Sequence, residues 1–337
     1  MLFLVVILSL LLILSIRHRA QSEDILNRET TDTLKGLAII VVFVDHIRGY
    51  LSNTSLPLWG DEQLLTLFGF ITKYMVSLFL FYSGYGVTLS IIQKGEGYVK
   101  SMPQRRILPT LFNFDVAVVL FLLVDIILGI SYPSKTICLS FLAWESIGNS
   151  NWYIFAILCC YLCSYIGSRF SNKRINSIVI TALLIFFYLI IVSCLKEPWW
   201  SNVILAYLGG VFYTIYKDKI TELLQKRFLL IAIISAIGFI ICFRKSQNIF
   251  LCNVSALFFI SLTLLICNKF TFKSILLLWF GKNLFLIYIY QRIPMIILSI
   301  VWPNLVQDNP YIFFVICFVV TCIIAKLMFQ YKYKGKL

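Results

Sequence analysis

Charge is scarce in this chain, and histidine scarcer still. Charged residues fill 13% of 337 positions, against roughly a quarter in an ordinary soluble domain. With 60% hydrophobic residues and a mean hydropathy of +0.91, a water-soluble globule is excluded. No polar stretch between the apolar runs is long enough for a soluble domain of about 100 residues. Acids are the rarer sign, 15 against 29 Lys and Arg, for a net charge of +14. That excess does not indicate nucleic acid, because the basic residues sit in short loops between apolar runs, where membrane orientation requires them. A metal-ligand pattern is missing too. Of ten cysteines, Cys159, Cys160, Cys163, Cys242, Cys252, Cys267, Cys317 and Cys322 lie inside apolar runs, and none is spaced with a histidine as a ligand set. They read as small core-packing residues.

What the chain does have is a succession of apolar runs. Eleven are candidate membrane helices: residues 1–16, 34–51, 64–92, 107–130, 152–166, 178–195, 203–216, 228–243, 249–267, 275–300 and 311–329. A bilayer core asks for about 20 apolar residues per helix, so the long run 64–92 must tilt, break or project. The first run is short enough for a signal peptide. It lacks a basic start and a small-residue cleavage site, and Arg17-His18-Arg19 follows like a stop-transfer flank, so it reads as a span. The expected fold is an all-α, polytopic membrane helix bundle of about eleven transmembrane helices. Basic residues crowd alternate loops: Arg17, Arg19, Arg28, Lys35; Lys94, Lys100, Arg105, Arg106; Arg169, Lys173, Arg174; Lys217, Lys219, Lys226, Arg227; Lys269, Lys273; Lys332, Lys334, Lys336. The intervening loops hold Lys135, Lys196, Arg244 and Lys245. The positive-inside rule then places the N-terminus outside and the C-terminus in the cytoplasm, with Arg244-Lys245 the dissenting loop.

One run carries more than apolar residues. Residues 32–50 begin with a cation, Lys35, and hold Asp45, His46 and Arg48 further along. Such groups cost roughly 2.5–3.5 kcal/mol each near the bilayer centre on insertion scales, so function is their default reading. Lys35 and His46 are eleven positions apart. At about 100° per residue they return to within roughly 20° of one face, about 16 Å apart along the axis. The topology puts Lys35 at the cytoplasmic surface and His46 toward the outer half. The other histidine, His18, sits in the basic juxtamembrane cluster, where a solvated role is expected. His46 is therefore the candidate for proton transfer by an imidazole. The plain alternative, a histidine that hydrogen-bonds a neighbouring helix, is outweighed by Lys35, Asp45 and Arg48 around it.

Further polar groups interrupt other runs. Ser83-Gly84-Tyr85-Gly86 offers small residues, either for close helix packing or for backbone access to a ligand. Arg105-Arg106 before Pro109 suits phosphate, which a guanidinium fork grips in bidentate fashion. Asp115 and Asp125 lie inside the next run, and at least one should face the protein interior. Gly281-Lys282-Asn283 precedes an aromatic run containing Tyr288 and ending at Gln291-Arg292, with Pro294 beyond. The pair Trp199-Trp200 fits an interfacial aromatic belt.

Taken together these residues resemble the membrane-integral type 3 acyltransferase family, which includes O-acetylases of bacterial polysaccharides. Lys35 and His46, ten residues between them, match its Arg/Lys-then-His motif. Phe81-Tyr82-Ser83-Gly84-Tyr85 looks like its aromatic-Ser-Gly segment, and Arg105-Arg106-Ile107-Leu108-Pro109 its Arg-x-x-Pro-type cytoplasmic motif. Asn151-Trp152-Tyr153-Ile154 is similar to its Trp-aromatic helix start, and Leu208-Gly209-Gly210 and residues 281–294 fit its later segments. The matches run in the family's order from Asp32 to Pro294. Departures exist: Gln291 stands where many members have His, so a second base there is lost, and Leu284 replaces a common Ser. The run 1–16 precedes the usual ten-helix core, and the extracytoplasmic hydrolase-like domain of some members has no counterpart.

The resemblance implies two parts: an extra helix and basic loop over 1–30, and an acyltransferase-like membrane domain over 31–337. It implies a membrane-bound O-acetyltransferase of a bacterial inner membrane. That enzyme would move an acyl group, typically acetyl, from cytoplasmic acetyl-CoA to a hydroxyl of a cell-surface or lipid-linked glycan, without metal or nucleic acid. His46 would be the general base, Lys35, Arg105 and Arg106 the donor's phosphate contacts. Arg48, Ser83, Trp152, Tyr288 and Gln291 are substrate or oxyanion candidates. Asp45 is about 100° round the helix from His46, so a carboxylate from another helix, Asp115 or Asp125, is expected to orient the imidazole. Two other classes stay open. A glycan transporter or flippase would also line a pathway with charge, though no inverted repeat is evident. A glycan polymerase or ligase usually carries a larger outer loop than residues 131–151.

Overall fold

The computed structural model describes residues 2–20, 23–51, 60–171 and 174–334, the side chains of 174 and of 331–334 excepted. Most of the expected outer loop 53–62, with Lys173, Lys336 and the side chains of Arg174, Lys332 and Lys334, therefore lies outside the described residues. The chain is 84% helical, and what is not helix is mostly short connection. Its elements are α1 (Leu2–Ser15), β1 (Ile16–His18), α2 (Arg28–Leu51), α3 (Asp61–Met102), α4 (Leu108–Ile127), α5 (Ser134–Ser140) and α6 (Trp152–Arg169). There follow α7 (Arg174–Leu195), α8 (Leu205–Ile215), α9 (Lys217–Lys226), α10 (Phe228–Arg244), α11 (Ile249–Lys269) and β2 (Phe270–Phe272). The last are α12 (Ile275–Lys282), α13 (Leu284–Tyr290), α14 (Arg292–Val301), α15 (Pro303–Asp308) and α16 (Pro310–Lys334). The two strands pair antiparallel, Ile16 opposite Phe272 and His18 opposite Phe270, and tie the first connection to the start of α12.

The all-α expectation holds but for the β1–β2 pairing, and the count of eleven spans is not reproduced. Among the described residues six helical stretches are long and apolar enough to cross a bilayer, or seven if α9 and α10, bent by 98°, count as one. The shortfall has physical causes. α1 has only 14 residues, α8 has 11, and α2 carries Asp32, Lys35, Asp45 and Arg48. Residues 61–127 count as one stretch of 67 residues, which at about 1.5 Å per residue is far longer than a bilayer core of about 30 Å. It breaks at Gly95, whose φ of 61° and ψ of −151° only glycine adopts readily. A π-helical turn, Pro103–Ile107, then carries Arg105 and Arg106 into α4. α7, α10 and α16 expose large apolar side chains such as Phe187, Ile241 and Val315, the surface an integral membrane protein turns to lipid.

α2 runs through the middle of the bundle, its apolar residues Ala38 to Val44 all buried or nearly so. Two reciprocal glycine contacts set its surroundings. A Cβ on Gly36 would overlap the backbone carbonyl of Leu277, and one on Gly281 that of Asp32, so α2 and α12 touch backbone to backbone. Gly84 and Gly210 do the same for α3 and α8, against Tyr207 and Phe81. The small residues of Ser83-Gly84-Tyr85-Gly86 thus serve helix packing at Gly84.

Candidate active site

Each end of α2 opens into cavities. The Lys35 end faces one of about 920 Å³, lined by Arg28, Asp32, Lys35, Tyr82, Tyr85, Arg106 and Lys282 among others. Lys35 Nζ lies 3.2 Å from Asp32 Oδ1, one helical turn back, and 5.5 Å from the Tyr82 ring centre. Arg106 Nε donates to the Tyr98 hydroxyl at 3.0 Å, and its guanidinium lies over the Tyr161 ring. Asp24, also on the cavity wall, is occupied by Lys217 Nζ at 2.5 Å. Burial opposes the Lys217 charge most strongly, but the hydrogen bonds and charge of Asp24 and Tyr85 together outweigh it and hold the ammonium above its ordinary range. With both carboxylates engaged, the cations dominate. Arg105 does not share this cavity: it lines a neighbouring one of about 360 Å³, with Arg106 and Lys282 on both walls. Arg28 reads in the sequence as an ordinary loop charge, and Lys282 only as part of the segment before the aromatic run; neither is a phosphate candidate there.

The His46 end holds two cavities, of about 410 and 260 Å³, both walled by His46, Trp152 and Trp199. The larger adds Asp45, Arg48, Lys73, Asn202 and Tyr288. Asp45 accepts from Arg48 Nε at 2.9 Å, so its carboxylate is engaged one turn along α2. The Tyr288 ring centre is 5.9 Å from that of His46. The smaller cavity adds Glu145, Asn149, Ser150, Lys196 and Arg292. Its wall is a loop folded on its own side chains: Ser146 Oγ donates to the Asn149 carbonyl, Ile147 N to Asn149 Oδ1, and Asn151 Nδ2 to the Ala143 carbonyl. That loop puts Ser150 Oγ 3.5 Å from His46 Nδ1. Lys196 bonds Glu145 at 2.9 Å and lies 4.4 and 4.9 Å from the ring centres of Trp144 and Trp200. Trp200 is buried beneath it, while Trp199 is half exposed and lines both His46 cavities.

The candidates are thus partly brought together. His46, Arg48, Trp152 and Tyr288 converge, and Gln291 interacts with the imidazole. Ser83 lines neither cavity and interacts with Tyr153 instead. Asp115 and Asp125 make no hydrogen bond to His46 among the described residues; Asp115 Oδ1 and both Asp125 oxygens are buried without a partner. The group at His46 Nδ1 is the hydroxyl of Ser150, which a search for carboxylates could not find. Around the imidazole three more atoms are buried without a well-formed hydrogen bond, Tyr288 Oη, Gln291 Oε1 and Arg292 Nε, although Gln291 acts on His46 and the Tyr153 backbone on Tyr288. Buried polar atoms are rarely left so, and a cluster beside a histidine and a cavity marks a place for a ligand.

Comparison with curated proteins and with solved structures returned no match. The sequence model of one family, described as an acyltransferase domain, matches residues 29–329, from the first turn of α2 to the last helix. With nearly the whole chain covered, the protein belongs to the acyltransferase 3 family.

Proposed function

We propose that this acyltransferase is a membrane-bound O-acetyltransferase: it takes the acetyl group of acetyl-CoA at the Lys35 end and delivers it to a glycan hydroxyl at the His46 end. The observation that carries the reading is the pair of openings on α2, one ringed by cations and one walled by imidazole and indoles. Lys35, Arg106 and Lys282 suit the donor's phosphates, charge-assisted partners for an anion; Arg105 would extend this on the adjoining wall. The narrow pantetheine arm would thread the roughly 16 Å along α2 to bring its thioester near His46. His46 would take the proton of the acceptor hydroxyl as that oxygen attacks the thioester carbonyl, with Ser150 holding the ring at Nδ1. Trp152 and Trp199 offer flat apolar faces on which a sugar ring can rest, and Arg48 and Asn202 polar groups for its hydroxyls. In this reading the chain lies in a bacterial inner membrane with the Lys35 end cytoplasmic.

The test is direct. Purified protein given labelled acetyl-CoA and candidate glycans should form an alkali-labile ester on the glycan. Hydrolysis of acetyl-CoA unaltered by any glycan or lipid-linked glycan would defeat the acceptor assignment.

A further inference from the structure

Arg292 is a charge that the reading above leaves without a role. Position 292 lies within the apolar stretch Leu284–Val301, where a guanidinium is expensive. Its Nε is buried and makes no hydrogen bond, yet the side chain reaches the wall of the smaller His46 cavity and acts electrostatically on the imidazole. Its sequence neighbours tell the same story. α13 passes into α14 through Gln291, whose φ of −57° and ψ of −29° keep the helix turning. Tyr288 and Arg292, four residues apart, therefore share one helix face. Both carry a buried donor without a partner, the Tyr288 hydroxyl and Arg292 Nε. Two orphaned donors on one face, next to a base, are what a developing negative charge requires.

We propose that Arg292, with Tyr288 one turn before it, forms the anion site that stabilises the tetrahedral adduct of acyl transfer; this rests on the acyltransferase reading above. As the acceptor oxygen, losing its proton to His46, bonds to the thioester carbon, the carbonyl π pair moves onto oxygen. That oxyanion lies against the Arg292 N–H and the Tyr288 O–H. Its collapse re-forms the carbonyl and breaks the C–S bond, and the departing thiolate takes the proton back from His46. The Nε–H is thus satisfied in the transition state and unsatisfied before it, so its contribution falls on the chemical step rather than on binding.

A rival role exists. Asp125 and Arg292 both act on Tyr132, and Arg292 could serve only to balance that buried carboxylate. Kinetics of the purified protein separate the two. Arg292→Ala should lower kcat by about 10²–10³-fold, the loss typical of one oxyanion donor, with little change in KM for donor or glycan. Added guanidinium ion should restore part of kcat, and Arg292→Lys, which keeps charge but not the fork, should fall between. Wild-type kcat in a folded Arg292→Ala or Arg292→Lys variant would overturn the proposal. So would a rise in glycan KM at unchanged kcat, which would make Arg292 a binding contact, or recovery of kcat in Arg292→Ala combined with Asp125→Asn. Absence of acetyl transfer by the wild type would instead bring down the acyltransferase assignment to glycans, and this proposal with it.

Discussion

In the proposed reaction His46 and Lys35 do different work at the two ends of one helix, and substitution should separate them. His46→Ala should leave the protein inserted and folded and lower kcat by about 10²–10⁴-fold, the usual worth of a general base; wild-type turnover at normal expression would exclude the role. Lys35→Ala and Arg106→Ala remove contacts equally strong in ground and transition states, so they should raise the KM for acetyl-CoA and spare kcat. Excess donor should rescue them and not His46→Ala, and the gap should narrow at high salt, where exposed ion pairs are screened. Unchanged donor affinity in a direct binding assay would reduce both cations to orientation signals. Ser150→Ala should cost less, about fivefold in kcat for the loss of one hydrogen bond worth ~1 kcal/mol. This is also the scale at which the sequence was most informative and most misleading. Lys35 and His46 stood out because charge in an apolar run is costly and the helical period placed them on one face. Ser150 did not, because a serine in a polar loop costs nothing and only tertiary folding brings it to the imidazole. Asp115 and Asp125 drew attention for the right reason, burial of charge, but the structure pairs neither with His46.

Between elements, the crossing of α2 and α12 is held by two glycines with no room for a side chain. Gly36→Val or Gly281→Val would drive methyl groups into a backbone carbonyl, which cannot rotate away as a side chain can. Each should destabilise by at least the 1–3 kcal/mol of ordinary overpacking, seen as a lower melting temperature in detergent. Gly97→Ala on α3, where nothing lies within 4 Å, should be tolerated. A melting temperature unmoved by both valines would mean that α2 and α12 can separate freely. The apolar runs that became helices were plain from hydropathy. Which of them span was not, because the count depends on features hydropathy hides: the polar burden of α2, the right-angle bend between α9 and α10, and the segmentation of 275–301 into α12, α13 and α14. Gly36 and Gly281 looked like isolated small residues; their pairing is a fact of tertiary contact alone.

For the molecule as a whole, the two sets of cavities matter only if they open to opposite sides of the membrane. In the proposed reaction a donor made in the cytoplasm would reach the Lys35 end, and a glycan assembled beyond the membrane the His46 end. The basic loops argue for that orientation. α9, polar and carrying Lys217, Lys219 and Lys226, would lie on the cytoplasmic surface, and α5 and the Trp144–Asn151 loop on the other. Native thiols make this testable with little alteration. Cys138 on α5 and Cys194 near the end of α7 are both free and exposed, so a membrane-impermeant maleimide should label intact cells and lose that label in Cys138→Ser combined with Cys194→Ser. A cysteine placed at Lys219 in that double-serine background should react only after permeabilisation. The reverse pattern would put the cation-lined cavity on the outer side, away from the coenzyme A pool. The family assignment would survive that result, since it rests on residues 29–329 and not on orientation. The direction of transfer would not: the His46 cavities would then face the cytoplasm, and the acceptor would have to be sought there.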